Sequence, residues 1–294
     1  MKRSSMIKGY IFIIASAVIF GCMPLMANGI YAEGVTPLSL VFFRNALSVP
    51  VLMVLSLRYQ GNLKIPGKVV PSMIVTALMG CCVTPMLLFS SYRFIPSGTA
   101  TVFHFVYPAV VVLAGILFLR QKIRIGTLIS VAVCVVGICL FYDPGQPLNW
   151  QGSLLALFSG VTYSVYILLL PPFREKGVTG FRFSFYTAAF CAAATLMICL
   201  VSGQLAFPTT LSGWGLCLLF ALAVNVGAVV LFQQGTFLIG GQRASILSTM
   251  EPVTGVLVGA LVFRETISFQ TATGAVLVIA ASILIAVFDS KTSK

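Results

Sequence analysis

Ten long apolar runs, separated by short polar or turn-forming breaks, make up almost the whole chain. A helix needs about 20 apolar residues to cross the hydrocarbon core of a bilayer. On that rule, spans fall near 9–31, 37–57, 69–91, 97–119, 125–142, 152–170, 182–202, 213–236, 243–263 and 269–288. The breaks carry turn chemistry at Gly61-Asn62, Asp143-Pro144-Gly145, Pro171-Pro172 and Gly240-Gly241. The pattern predicts an all-α integral membrane protein with ten transmembrane helices. The first run follows Lys2, Arg3 and Lys8 but is too long for a signal-peptide core, and no small-residue cleavage site precedes Glu33, so it is expected to be a retained span.

The ten runs divide into two sets of five. The stretch around Tyr107-Pro108 recurs 144 positions later around Glu251-Pro252. Ile95, Ala100, Pro108, Val112, Leu113, Gly115, Leu117, Arg120, Ile123 and Thr127 all meet identical residues at that offset. Aliphatic matches are cheap in so apolar a chain, so the Pro, Gly, Arg and Thr matches carry the weight. Five is odd, so the second copy must cross the membrane upside down relative to the first. The expected architecture is therefore two inverted five-helix repeats, residues 1–146 and 147–294. Inverted repeats build many secondary transporters, which bind solute near mid-membrane where the halves meet.

Composition supports the membrane reading. Apolar residues form 59% of the chain, charged residues 8%, and the mean hydropathy is +1.06; no water-soluble domain hides that much apolar surface. The net charge of +12 raises a nucleic-acid reading, which fails on distribution because Lys and Arg sit in the breaks rather than on one face. With the amino terminus inside, fifteen of the eighteen Lys and Arg fall on the cytoplasmic side, leaving Arg93 and Arg264 outside and Arg44 within a span. That split orients both termini to the cytoplasm of a cell membrane. Trp150, Trp214, Tyr31, Tyr92 and Tyr142 stand near external span ends, as an interfacial aromatic belt would. The eight cysteines all lie in apolar runs without CxxC spacing and read as packing residues.

Three ionisable residues fall inside spans, where each is expensive and so a candidate for function. Glu251 lies about eight residues, or roughly 12 Å, from the inner end of the ninth span. A carboxylate stripped of water there needs a proton, a cation or a cationic solute beside it. Arg44, about 10 Å from the outer end of the second span, could clamp a solute carboxylate, pair with Glu251, or bond carbonyls. His104 and Tyr107 share a helical face, and their repeat counterparts are Ser248 and Glu251; packing is the competing account of that histidine. Pro108 and Pro252, inside their spans, each remove a backbone hydrogen bond and suit a hinge or cavity wall. Asn28, Tyr163, Tyr166 and Asn225 complete a candidate solute pocket, with Tyr186, Gln233 and Gln234 as further polar positions. Gly255 and Gly259 form a GxxxG that permits close helix contact. There is no GxxxxGK[ST] phosphate loop, HExxH or GxSxG motif, so no cofactor or metal is expected and flux must draw on a solute or ion gradient.

These segments resemble the EamA family of the drug/metabolite transporter superfamily. The resemblance rests on Val41-Phe42-Phe43-Arg44-Asn45, on Pro108 through Arg120-Gln121, and above all on Met250-Glu251-Pro252, Phe263-Arg264-Glu265 and Gly274. It implies a ten-span carrier of amino acids or other small metabolites through a central cavity, with export the favoured direction. It also implies that the first four helices of each half line the cavity while the fifth stands at the rim. Gln121 in the first copy replaces Glu265 in the second, so the Arg-Glu signature survives once. Together, the residues predict a secondary-active transporter working by alternating access, its partners a small solute, membrane lipid and protons as candidate coupling ion. A membrane-embedded enzyme on a lipid-soluble substrate and a channel are the alternatives.

Overall fold

The computed structural model describes residues 3–118, 125–140, 149–262 and 268–290, and among them every regular element is a helix. Arg120, Gln121, Tyr142, Asp143-Pro144-Gly145, Arg264 and Glu265 lie outside the described residues. In chain order the α-helices are α1 Arg3–Gly21, α2 Met23–Ala32, α3 Pro37–Ala46, α4 Val49–Gln60, α5 Val70–Ala77, α6 Thr84–Ser91, α7 Ser97–His104, α8 Tyr107–Leu117 and α9 Ile125–Cys139. They continue with α10 Trp150–Leu169, α11 Pro171–Glu175, α12 Gly180–Ser202, α13 Leu211–Phe220, α14 Val230–Ile239, α15 Gly241–Leu247, α16 Met250–Val262 and α17 Phe269–Ser290. Seven continuous helical stretches among the described residues are long and apolar enough to cross a membrane. Ile125–Cys139 and Phe269–Leu284 are apolar but shorter. The run expected as a ninth span is the broken pair α15 and α16.

Many of these rods are interrupted near their middles. α1 stops at Gly21 and α2 resumes at Met23, with Pro24 in its first turn. α3 and α4 are separated at Leu47-Ser48, with Pro50 following. α5 and α6 are joined by a π-helical segment, Leu78–Val83, and α13 and α14 by another, Ala221–Val229. Extra-wide turns of this kind gather at functional sites. The second begins one position short of the 144-residue repeat of the first.

Pro108 and Pro252 were expected inside continuous helices, and the structure corrects this. Each stands in the first turn of a new helix, α8 or α16, just after a break at Phe105-Val106 or Ser248-Thr249. There its missing N–H is one that the helix start leaves unused anyway.

The packing follows the breaks. α1 packs on α14 and α16, while α10 packs on α6, α7 and α8. α12 lies along α3 and α4, and α9 pairs with α17. Glycine permits the closest crossings. A Cβ on Gly160 of α10 would collide with the His104 carbonyl oxygen, and one on Gly21 would sit 2.8 Å from the Glu251 carbonyl oxygen. The two glycines thus hold α1 against the broken helix α15–α16 and α10 against the broken helix α7–α8. Gly137 and Gly274 bring α9 and α17 together in the same way, and Gly255 faces the Gly21 carbonyl.

Two polar clasps tie the chain together at opposite faces. On the face where α1 begins, Gln60 Nε2 donates to the Thr179 carbonyl (2.8 Å), and Arg182 donates to Asn62 Oδ1 and the Lys64 carbonyl. On the far face, Thr209 and Thr210 donate to Glu33 Oε2, and Thr36 and Ser39 donate to the Gln204 carbonyl. Both bridge α12 and its flanking loops to the α2–α4 region. The expected interfacial belt is only partly present: Trp150 is exposed, but the Tyr31 and Tyr92 hydroxyls point inward, buried and without a partner.

Gly160→Ala should therefore destabilise the protein by about 1–3 kcal/mol, the usual cost of overpacking, whereas Gly215→Ala, where an added Cβ meets nothing within 4 Å, should leave it unchanged or slightly more stable. Thermal unfolding of both variants in detergent checks this; equal midpoints would refute the close-packing role of Gly160.

Candidate functional site

The breaks surround one small buried cavity with room for about 50 Å³ of solvent. Its wall includes Arg44, Glu251, His104, Tyr163, Tyr166, Phe20, Phe89 and Phe232. Arg44 comes from the last turn of α3 and is 4% exposed. Its guanidinium makes no hydrogen bond or ion pair to any described residue, and its Nε is fully buried. Burying a charge without a partner costs several kcal/mol, so this cation awaits an anion. The carboxyl of Glu251, in the first turn of α16, also has no hydrogen bond or ion pair among the described residues. The two ionisable side chains line one cavity and make no bond to each other.

The aromatic residues form a stacked wall between them. Tyr163 and Tyr166 stack at 5.7 Å between ring centroids, and Tyr163 lies 5.5 Å from Phe232. The Tyr166 ring fills the space beside Gly80 in the first π segment, and its hydroxyl accepts from Gln233 Nε2 at 3.0 Å. Gln233 in turn accepts from Ser184. This fixes the ring from behind and leaves its face to the cavity.

His104 lies 2.7 Å from Ser159 Oγ through Nδ1. Ser159 Oγ also reaches the Ala156 carbonyl at 2.6 Å, an arrangement that suits a proton on Nδ1. In that tautomer the ring keeps Nε2 as an acceptor.

Phe20 and Glu251 also line a second, much larger space of about 800 Å³. It lies between α7 and α16 towards the far face, with Asn28, Ser97, Thr101, Gly255 and Thr271 in its walls. This vestibule has the size of a small-molecule site, whereas the inner cavity holds only a few waters. Phe20 and Glu251 thus line both the larger space and the small inner cavity.

On the opposite side the way is shut. α8 packs against α15, and the Tyr107 and Ser248 hydroxyls meet at 2.7 Å. Ser248 also faces the Ala244 carbonyl at 2.9 Å, which makes Tyr107 the donor. Tyr107 is 1% exposed and lines neither space.

The structure therefore sorts the expected residues. It brings Arg44, Glu251, His104, Tyr163 and Tyr166 to one cavity and Asn28 to its vestibule. Tyr107 instead ties two helices together. Asn225, in the second π segment, donates to Asn45 Oδ1 and Ser48 Oγ, both at 3.0 Å, and stands away from both spaces. Its place is explained by the break in α3–α4, whose polar groups it satisfies. Tyr186 donates to the Leu63 carbonyl at the first clasp, and Gln234 Nε2 is buried without a partner. Phe20, Phe89, Phe232 and Thr84 went unnoticed in the sequence because an aromatic or threonine in an apolar run carries no signal of its own.

Comparison with known proteins bears on the family and the fold. The EamA-like transporter family matches residues 7–142 and again residues 150–287. An uncharacterized transporter of Archaeoglobus fulgidus is 25% identical over 91% of this chain and 92% of its own length. An uncharacterized transporter of Clostridium kluyveri is 20% identical over 94% and 92%, and the uncharacterized transporter YcbK of Bacillus subtilis is 23% identical over 87% and 86%. A solved crystal structure shares the fold, with a TM-score of 0.78 at 18% identity over 98% of this chain and 100% of the other. These names point to transport rather than catalysis by a multi-pass membrane protein.

A cysteine replacing Thr101 should react rapidly with a membrane-impermeant maleimide applied from the far face, and one replacing Tyr107 should not. Labelling of membranes bearing each variant reads this directly; a protected Thr101 position would mean that the vestibule is closed.

Proposed function

Because the chain belongs to the EamA-like transporter family, we propose that it is a secondary-active exporter of a small metabolite, an amino acid or related solute, working by alternating access. The observation that carries this reading is the unpaired charge couple. Arg44 and Glu251 line one cavity from different helices, and neither side chain has a hydrogen bond or ion pair to a described residue. A solute bearing both a carboxylate and an ammonium satisfies both at once, and charge-assisted hydrogen bonds of this kind are the strong ones. Aromatic faces at Tyr163, Tyr166 and Phe232 then cover the solute's body. The inner cavity is too small for the whole solute, so Phe20 must swing aside as it enters.

The scaffold of the proposal is ten transmembrane helices in two inverted halves, residues 1–146 and 147–294. Four features support it. The family matches the chain twice; the α7–α8 and α15–α16 breaks and the two π segments recur at nearly the same repeat offset, though the breaks at Cys22 and Leu47-Ser48 have no counterpart in α10 and α12; the Pro96 and Gly240 caps of α7 and α15 are repeat counterparts; and α1 meets α16 as α10 meets α8. In this reading the protein lies in the cell membrane with both termini cytoplasmic, so the far face is external and the structure is open outward. Glu251 is also the group through which protons would couple to flux.

The test is transport in proteoliposomes of the compound that an untargeted metabolite comparison of cells with and without the chain singles out. Glu251→Gln and Arg44→Gln should each cut flux at least tenfold, since losing one charged hydrogen bond removes about 1.5–3 kcal/mol, while insertion stays normal. Wild-type flux in either variant would remove that residue from the site.

A further inference from the structure

The repeat relates Tyr107 to Glu251 and His104 to Ser248. In the structure one cross-pairing of these four is made and the other is not. Tyr107, first residue of α8, meets Ser248, just past the end of α15, on the closed side. Glu251, in the first turn of α16, and His104, last residue of α7, both line the inner cavity, and Glu251 also lines the vestibule; no bond joins the two side chains. Exchanging the conformations of two inverted halves converts each contact into its counterpart. We propose that Glu251 and His104 are the far-face gate: they pair when the vestibule closes, as the Tyr107–Ser248 bond on the opposite side breaks. This inference rests on the inverted-repeat, alternating-access reading above.

The two gates differ chemically. Tyr107 and Ser248 close with the proton the tyrosine already carries. Glu251 presents acceptor oxygens and His104 presents the acceptor Nε2, because its Nδ1 proton is committed to Ser159. Two acceptors meet only with a proton between them. The far-face gate therefore closes with one proton held between carboxyl and imidazole, unless a cationic group of the solute takes its place. The other titratable groups around it are Arg44, Tyr92, Tyr107, Tyr163, Tyr166 and Cys81. Nothing in the far half except Glu251 and His104 occupies the positions that Tyr107 and Ser248 hold in the other half.

The test uses the full chain in membranes with its native cysteines replaced. The pairs Tyr107→Cys/Ser248→Cys and His104→Cys/Glu251→Cys are each treated with a short thiol cross-linker and read by mass spectrometry. Both should cross-link, the first trapping the open vestibule and the second the closed one. Glu251→Gln, whose amide can donate to Nε2 without an added proton, should slow far-face labelling of Thr101→Cys several-fold, and adding His104→Ala should restore it. Cross-linking of the first pair alone, in membranes where the Thr101 position still shows a protected fraction, would overturn the gate assignment. So would Glu251→Gln labelling at the unmodified rate, and so would failure of the first pair to link. A Thr101 position that is never protected under any condition would instead point to a single state and bring down the alternating-access reading itself.

Discussion

A bilayer offers no water to a broken backbone, so every interruption in a spanning helix must be satisfied by a neighbouring helix. This chain interrupts many of its helices and places the breaks around one cavity. At Leu47-Ser48 the repair comes from side chains: Ser48 Oγ donates to the Asn45 carbonyl, and Asn225 donates to Asn45 and Ser48. Asn45 in turn reaches the Cys81 carbonyl in the first π segment. That carbonyl is the one Pro85 leaves without its usual helical donor. The α3–α4 break and the two π segments are thus mended by one another's residues. The close crossings at Gly21 and Gly160 bring bare backbone against the Glu251 and His104 carbonyls.

That polar layer explains why two unpaired charges can be kept. An isolated ion in hydrocarbon is so costly that it ordinarily finds a partner or is neutralised. Here Arg44 and Glu251 border one small space, wide enough for a few waters, that is also lined by the aromatic residues and by Gly80 and Cys81 of the first π segment. The strain is local and the reward lies in binding: a ligand that brings complementary charges relieves both ions together. The clasps on the two faces bridge the same neighbouring segments, α12 and the α2–α4 region, and the alternating-access proposal assigns the movement to the broken helices α7–α8 and α15–α16 instead.

Much of this was legible in the sequence, for physical reasons. A membrane helix advertises itself by length and apolarity, and an ion inside one stands out against that background, which is how Arg44, His104 and Glu251 were found. The repeat located the functional breaks because proline and glycine leave a trace that survives when aliphatic residues drift. The shape of the breaks was not legible. A π segment such as Leu78–Val83 or Ala221–Val229 is written in the same residues as an ordinary helix. Nor could the sequence tell that the Tyr107 hydroxyl turns away from the cavity, since a helical face fixes a direction only when the helix is continuous, and this one breaks two residues earlier. Asn225 was misplaced for a related reason: the extra-wide turn around it rotates its side chain towards α3.

The symmetry of the backbone and the asymmetry of its chemistry then fit together. A carrier whose halves were identical would hold its two end states at equal energy, and nothing but solute concentration would bias them. Replacing a tyrosine by a glutamate in one half, and a serine by a histidine in the other, leaves the scaffold intact because all four positions sit at helix breaks where the backbone is already satisfied. In the proposed cycle it would make one gate self-sufficient and the other dependent on a proton or a cationic group. A ligand shifts a conformational equilibrium only by its differential affinity for the two states. In that proposal the differential would reside in four residues, Tyr107, Ser248, His104 and Glu251, of which one pair is in contact in this structure.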